Sequence, residues 1–250
     1  MFHALKTRWE QGRQYVPDVR TASPAGFRGL PILDEKRCPP DCHACTESCP
    51  TQAITAAPLT LDLGRCVFCA DCVDACPQGA VDFSAGVRMA ARTREDLVLK
   101  PGHAAPHVPE DDAIRKVFGR SLRLRSVSAG GCNGCELEIN AMANVNFDVG
   151  RYGIEFAASP RHADALILSG PIPRNMARAL ELTWEGMPAP RFVIAAGACA
   201  ISGGVFAPSG ELERGFLGRN APDLYLPGCP PHPLTMINGI LDLLGREKRS

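Results

Sequence analysis

The chain has 250 residues, with 27 Lys+Arg balancing 27 Asp+Glu, 45% apolar residues and 12 cysteines. That balance supplies no field to recruit nucleic acid, and the length suits one large or two modest domains. No run of 18 consecutive apolar residues occurs, so no membrane-spanning helix is expected.

Residues 1–14 predict a short amphipathic helix. Phe2, Leu5 and Trp9 share one face, while Lys6, Glu10 and Arg13 turn away. Docking on a partner subunit is its first reading, and contact with a membrane surface its second. The segment has no apolar h-region and no twin arginine, so a cytoplasmic chain with reduced thiols is expected. Dense cysteines in that compartment point to metal before disulfides. Pro17, Pro24, Gly26 and Gly29 punctuate an extended arm that completes a first segment, 1–30. Residues 31–86 form a cysteine-rich domain. Residues 87–120 read as a polar linker holding His103, Pro106, His107 and Pro109, with a short helix inside 110–120.

From residue 121 to 250 the pattern alternates between strands and helices. Strands are expected at 122–128, 154–158, 163–169, 192–196 and 223–226, and helices at 136–145 and 174–184. A closing helix opens at Pro233, sets Leu234, Ile237, Leu241 and Leu244 on an inner stripe, and stops before Gly245. Strand–helix alternation with short connections predicts a parallel sheet covered on both faces.

Eight cysteines lie between Cys38 and Cys76. The run Cys66, Cys69, Cys72, Cys76-Pro77 fits the C-x2-C-x2-C-x3-C-P pattern of two-cluster bacterial ferredoxins. The run Cys38, Cys42, Cys45, Cys49-Pro50 repeats it with one extra residue in the first gap. In that pattern the fourth thiolate crosses to the sister cluster. One 4Fe–4S cluster is therefore expected on Cys38, Cys42, Cys45 and Cys76, and another on Cys66, Cys69, Cys72 and Cys49. The extra residue leaves a 3Fe form of the first cluster open. Structural zinc is the weaker alternative, because zinc modules pair C-x2-C units across a long spacer. With a full thiolate set, His43 is not needed as a ligand.

The remaining cysteines, Cys132, Cys135, Cys199 and Cys229, each sit on a glycine-rich turn just past an expected strand. Ligands of open α/β sheets bind at that edge, so the four thiols predict a third 4Fe–4S cluster there. The glycines near Cys132 match neither G-x-G-x-x-G nor a phosphate loop, which argues against a nucleotide.

Residues 128–139, with Gly197-Ala-Cys199 and Pro227-Gly-Cys-Pro-Pro231, resemble the small subunit of membrane-bound NiFe hydrogenases of the formate hydrogenlyase type. They are similar also to the related 20-kDa subunit of NADH:quinone oxidoreductase. Residues 1–85, including Tyr15–Pro17 and Arg28-Gly-Leu-Pro31, resemble the two-cluster ferredoxin-like subunit of the same complexes. The chain thus looks like a fusion of neighbouring subunits, an α/β protein with an N-terminal two-cluster ferredoxin-like (α+β) domain followed by a flavodoxin-like parallel-sheet domain. Asn133-Gly134 between the first cysteines favours the hydrogenase branch, since the quinone branch carries adjacent cysteines.

The resemblance implies an oxidoreductase subunit that relays electrons through three clusters to or from an active site on a separate hydrogenase large subunit, or its quinone oxidoreductase counterpart. It implies an electron donor protein, further subunits of a membrane-bound complex, and a place on the inner face of the cell membrane. Glu138 matches an acidic position that serves proton traffic or cluster potential, whereas Glu136 reads as a first-turn helix acid. A stand-alone ferredoxin-like carrier is the alternative of a different class. His232, three residues past Cys229, reads either as a donor to cluster sulfur or as an exposed turn residue.

Overall fold

The computed structural model describes residues 2–12 and 15–246. Ahead of residue 121 the apolar runs are short, and the elements they form are short too. Helix α1 (Phe2–Gln11) buries nothing: Phe2, Leu5 and Trp9 are 84%, 62% and 91% exposed. Arg13, expected on its polar face, lies outside the described residues. The cysteine-rich region contains β1 (Pro31–Leu33), α2 (Ala44–Ser48), β2 (Ile54–Ala56), β3 (Leu59–Asp62), α3 (Asp71–Asp74) and β4 (Val81–Phe83), and β5 (Val98–Leu99) follows. Strands β1 and β4 pair antiparallel and tie the ends of the region together, while β2, β3 and β5 form a second antiparallel sheet.

Residues 87–120, expected as a linker, are exposed at His103 and His107 yet bury Val87, Met89, Ala91, Leu97, Val108 and Phe118. Charge fixes the segment as well. Arg94 grips Asp62 with two hydrogen bonds of 2.7 and 2.5 Å, and Arg92 reaches Asp111 at 2.9 Å. Asp111 caps α4 (Asp112–Phe118) by accepting from the Ile114 N–H. Paired, partly buried groups of this kind hold a segment against the body, so it does not act as a free tether.

The second half continues with β6 (Leu122–Ser128), α5 (Gly134–Ala141), β7 (Ile154–Phe156), β8 (Ala165–Ser169), α6 (Arg174–Glu185), β9 (Phe192–Ala196), α7 (Ala198–Ser202), α8 (Gly215–Arg219), β10 (Leu224–Leu226) and α9 (Pro233–Leu243). The strands form one parallel sheet in the order β10-β9-β8-β6-β7. Counted from β6 this is the 2-1-3-4-5 order of flavodoxin-like folds, with the switch point between β6 and β8. Strands β8 and β9 are buried at every position, which is why they carry no polar alternation.

Two elements depart from the sequence reading. Helix α5 starts two residues before the expected 136, because Asn133 takes a left-handed conformation (φ 71) and turns the chain straight into the helix. Helix α9 is buried on nearly all sides rather than along one stripe. The sheet covers one side, and Gly239 allows that approach: a Cβ there would stand 2.7 Å from both Leu226 and Ala90. The arm covers another side. Val19 is fully buried, its carbonyl accepts from Asn238 Nδ2 at 2.8 Å, and Arg20 reaches Asp242 at 2.6 Å.

Asn238 is buried and also donates to the Leu234 carbonyl. Asn238→Ala leaves the Val19 carbonyl inside the protein without this donor. The expected cost is about 1–3 kcal/mol. It should appear as a thermal midpoint lowered by several degrees and faster tryptic cleavage at Arg20; an unchanged midpoint would mean that the arm does not need this bond.

Candidate metal centres

All twelve cysteines are free thiols. Local backbone presents each group of them. Gln52, Phe68, Ala70 and Asn133 adopt positive φ values of 53, 56, 75 and 71, a conformation non-glycine residues hold only under constraint. Each lies within three residues of a cysteine, and amides point at sulfur around Cys49, Cys66 and Cys69. The Ala53 N–H donates to Cys49 Sγ at 3.2 Å, Phe68 N–H to Cys66 Sγ at 3.4 Å and Ala80 N–H to Cys76 Sγ at 3.1 Å. These donors lie two or four residues past their cysteines; Ala44, Ala70 and Ala75 supply none of the three.

Electrostatic neighbourhoods divide the thiols into three sets. Burial, then the neighbouring Cys42 and Cys76, pushes the Cys38 thiol up. Burial pushes Cys45 up too, with Cys38, Cys76 and Cys42 adding to it. Burial lifts Cys66 to about 12, with Cys72, Cys49 and Cys69 as its thiol neighbours, and those four line one cavity beside Phe83. Cys132, Cys135, Cys199 and Cys229 line another, walled by Gly131, Gly170 and Gly228. There burial lifts Cys135 to about 12 and Cys199 to about 11. Cys76 goes the other way: burial raises it, but amides of residues 78–81 outweigh burial and hold it below its ordinary value.

The sets adjoin one another. Cys72 feels Cys45 of the first set, and Cys229 feels both Cys132 and Cys69. The Arg28 guanidinium fixes that second junction, donating to the Phe68 and Cys69 carbonyls at 2.6 and 2.8 Å.

These surroundings suit an iron–sulfur cubane. A thiol lifted to 12 ionises only if a cation compensates it, and metal does that directly. Among the described residues, no three His, Cys, Asp or Glu side chains gather around a point that one metal ion would occupy. In a cubane each thiolate takes its own iron, so four sulfurs stand apart around a shared void. The void also excludes bulk. Gly197 has φ +89, and a Cβ on it would lie 2.6 Å from Cys135 Sγ.

The C-terminal set sits where the fold puts ligands. Cys132 and Cys135 follow β6 at the switch point, Cys199 follows β9, and Cys229 follows β10. Glu136 lines this cavity and Glu138 does not. Burial raises the Glu136 carboxyl, but the Ser169 hydroxyl, donating at 2.6 Å, and Ser128 hold it below the usual carboxylate range. Glu138 is half-buried, and burial pushes its pKa up. His43 is exposed and makes no cap bond.

Two contributors escape the sequence reading, and a third takes a role other than those expected of it. Ser169 is fully buried, and its signal is a lone hydroxyl closing an otherwise apolar strand. Arg214 is the second: it donates to the carbonyls of Pro171, Cys199, Ala200 and Ile201, stapling the switch-point loop to the Cys199 helix. Nothing in its local sequence distinguishes it from a surface arginine. The third is His232, whose Nδ1 accepts from the Leu234 N–H at 3.1 Å and caps α9, while its ring packs on Phe27 and Phe147. It is neither an exposed turn residue nor, in this tautomer, a ring with Nδ1 free for sulfur.

Burial holds His232 below its ordinary value of 6.5. Only the neutral ring accepts at Nδ1, and the unfolded chain takes up the proton first as pH falls. The stability from this cap is therefore full above about pH 6.5 and lost as pH drops through the lower folded value. His232→Ala should cost about 1 kcal/mol at pH 8, and the cost should shrink in acid. Thermal melts at pH 8 and pH 5 check this; a loss that grows in acid contradicts the assignment.

Residues 132–243 match the family described as NADH ubiquinone oxidoreductase, 20 Kd subunit, and residues 37–80 match the 4Fe-4S dicluster domain. The chain is 39% identical over 127 residues to the probable membrane-bound hydrogenase subunit mbhJ of Pyrococcus furiosus, across 50% of this chain and 75% of that protein. It is 39% identical over 133 residues to formate hydrogenlyase subunit 7 of Escherichia coli, across 53% of this chain and 52% of that protein. It is 40% identical over 119 residues to an NADH-quinone oxidoreductase subunit of Geotalea daltonii, across 46% of this chain and 69% of that protein.

Proposed function

The chain belongs to the family of the 20-kDa subunit of NADH:ubiquinone oxidoreductase, with a 4Fe–4S dicluster domain ahead of it, and from that premise we propose that it is the electron-transfer subunit of a membrane-associated NiFe hydrogenase complex. Its relatives are subunits of hydrogenase and NADH:quinone oxidoreductase complexes, which supports an iron–sulfur subunit of an oxidoreductase complex of one of these types. The finer reading is carried by one observation, three adjoining quartets of free thiols with Cys69 within electrostatic reach of Cys229.

When bound, 4Fe–4S groups supply one-electron transfer. Cys38, Cys42, Cys45 and Cys76 hold the first, Cys66, Cys69, Cys72 and Cys49 the second, and Cys132, Cys135, Cys199 and Cys229 the third. The segments act as 1–30 for docking, 31–86 for the first pair, 87–120 for the join and 121–250 for the third. The backbone amides of Ala53, Phe68 and Ala80 stabilise negative charge on sulfur, which favours the reduced state. Arg28 fixes the Cys69 side of the Cys69–Cys229 junction, and Arg214 fixes the helix that carries Cys199. Glu138 is the candidate for proton traffic or tuning of potential.

The outer rim favours a protein partner. Cys132 and Cys229 are exposed, and around their set Leu137, Val205 and Phe206 are 61%, 53% and 43% exposed. This face receives the hydrogenase large subunit, which carries the metal site that reduces protons; an electron donor protein supplies the other end. Among the described residues no helix is long and apolar enough to cross a membrane. Attachment on the inner face of the membrane therefore runs through other subunits.

Cys199→Ser tests the cluster count. The native chain should hold about twelve irons and the variant about eight. The spectra of the N-terminal pair should persist while turnover is lost. A native chain with only eight irons, or a variant that keeps all of its iron, sinks the three-cluster reading. The copurified complex distinguishes the branches. Hydrogen turnover is expected; quinone reduction without it moves the chain to the NADH:quinone oxidoreductase branch, and a chain isolated alone makes it a free carrier.

A further inference from the structure

A wide cavity lies at the opposite end of the parallel sheet from the cysteines. Its volume is about 630 Å³, and its walls include Arg20, Arg120, Arg151, Arg246 and Tyr152. Gly119–Arg120 immediately precede β6, and Arg151–Tyr152 precede β7, so the cavity opens at the amino ends of these strands. The cysteine loops occupy the carboxyl ends. The two sites are therefore separate, and nothing in the proposed electron relay uses this one.

Its chemistry is one-sided. Among the described residues of its walls, four guanidiniums accompany one carboxylate, Asp18. Three of the arginines are held in place by the protein. Arg20 is fixed by Asn238 and Asp242, Arg246 by the carbonyls of Gly119, Phe118 and Tyr152, and Arg151 by the Val16 carbonyl and the Tyr152 ring 4.9 Å away. The Asp242 carboxylate pairs with Arg20, whereas the Val16 carbonyl orients Arg151 without neutralising it. Arg151 Nε is buried without a hydrogen-bond partner. Arg120 is exposed, and its side chain makes no hydrogen bond or ion pair with the described residues.

Pre-oriented guanidinium forks match the oxygen geometry of phosphate, and several converging positive charges call for a multiply charged anion over a single carboxylate. The volume is many times the roughly 30 Å³ of one water and falls in the range of small-molecule sites. A bare ion would leave most of it empty. The ring of Tyr152 and the side chain of Leu241 offer an apolar wall to an organic remainder. We propose that this cavity binds a phosphate-bearing organic ligand, which the arginines hold through its phosphate. Two sources share that chemistry: the headgroup of an anionic phospholipid and a soluble phosphate ester.

The test uses the full chain with its iron content verified. Glycerol 3-phosphate is titrated calorimetrically, and sedimentation with phosphatidylglycerol vesicles is compared with phosphatidylcholine vesicles. Variants are Arg120→Glu, Arg151→Gln, the exposed Arg161→Glu as a charge control, and a deletion of residues 2–11. Either ligand should bind, with at least tenfold weaker binding in Arg120→Glu and in Arg151→Gln and little change in Arg161→Glu. Arginine-dependent binding of the soluble ester assigns a metabolite. Binding to phosphatidylglycerol alone, with the same dependence, assigns a lipid. The proposal is overturned if neither ligand binds, if Arg161→Glu weakens binding as much as Arg120→Glu, or if vesicle binding needs residues 2–11 but neither Arg120 nor Arg151. Iron content unaltered in Arg120→Glu keeps a failure here distinct from a failure of the electron-relay reading.

Discussion

Sulfur charge is the constraint on which the rest depends. Burial, with neighbouring thiols and, at Cys135, Glu136 adding to it, takes Cys66 and Cys135 to about 12, so thiols gathered around one void cannot ionise together without positive charge among them. Metal supplies most of that charge, and backbone N–H groups supply the remainder. The local structure around the cysteines follows from this need. Left-handed backbone at Gln52, Phe68 and Ala70 costs conformational energy that a helix or strand would not require. It is tolerated where it aims amides at sulfur, and the glycine at 197 is tolerated where a side chain would displace Cys135.

The parallel sheet gives these loops a platform. Its strands end at one edge, and the loops after β6, β9 and β10 converge on the C-terminal quartet. The cysteine-rich region then packs on the same edge instead of hanging from a tether. One apolar core contains Leu61, Leu63 and Leu97 together with Leu166, Leu168 and Ile201. A shared core of that kind fixes the separation of the two halves, which a flexible connection would leave to vary. Fixed separation matters for an oxidoreductase subunit, because electron transfer falls steeply with distance.

How much of this could be read from residues alone depended on whether the signal was local. The strands at 122–128 and 192–196 appear with the expected bounds, because alternating Leu122, Leu124 and Val127 in the first and a fully apolar run in the second, each followed by a glycine turn, leave little choice. The dicluster region was legible in spacing, since Cys66–Cys76 places four cysteines in eleven residues and residues 37–80 match the 4Fe-4S dicluster domain. What escaped depends on partners distant in sequence. Helix α9 presents an amphipathic pattern, and only the arm over Asn238 makes its outer side buried. Residues 87–120 carry the prolines and histidines of a loop, yet Val87, Met89 and Leu97 find cores on both sides. Arg214 lacks any local mark and Ser169 has only its place at the end of an apolar strand, because carbonyls and a carboxylate brought in by the fold define what they do.

Parallel sheets have two open margins, and this chain closes one of them itself. Ala91 forms an antiparallel bridge with Tyr225 on β10, exchanging hydrogen bonds of 3.1 and 2.9 Å. Without that strip, β10 would present unsatisfied amides and carbonyls to any passing strand, the usual seed of intermolecular pairing. The stretch between the cysteine-rich region and the sheet therefore doubles as a hem for the sheet. A sheet half produced without it would carry a raw border, so its solubility, and not only its electron supply, depends on staying joined to what precedes it.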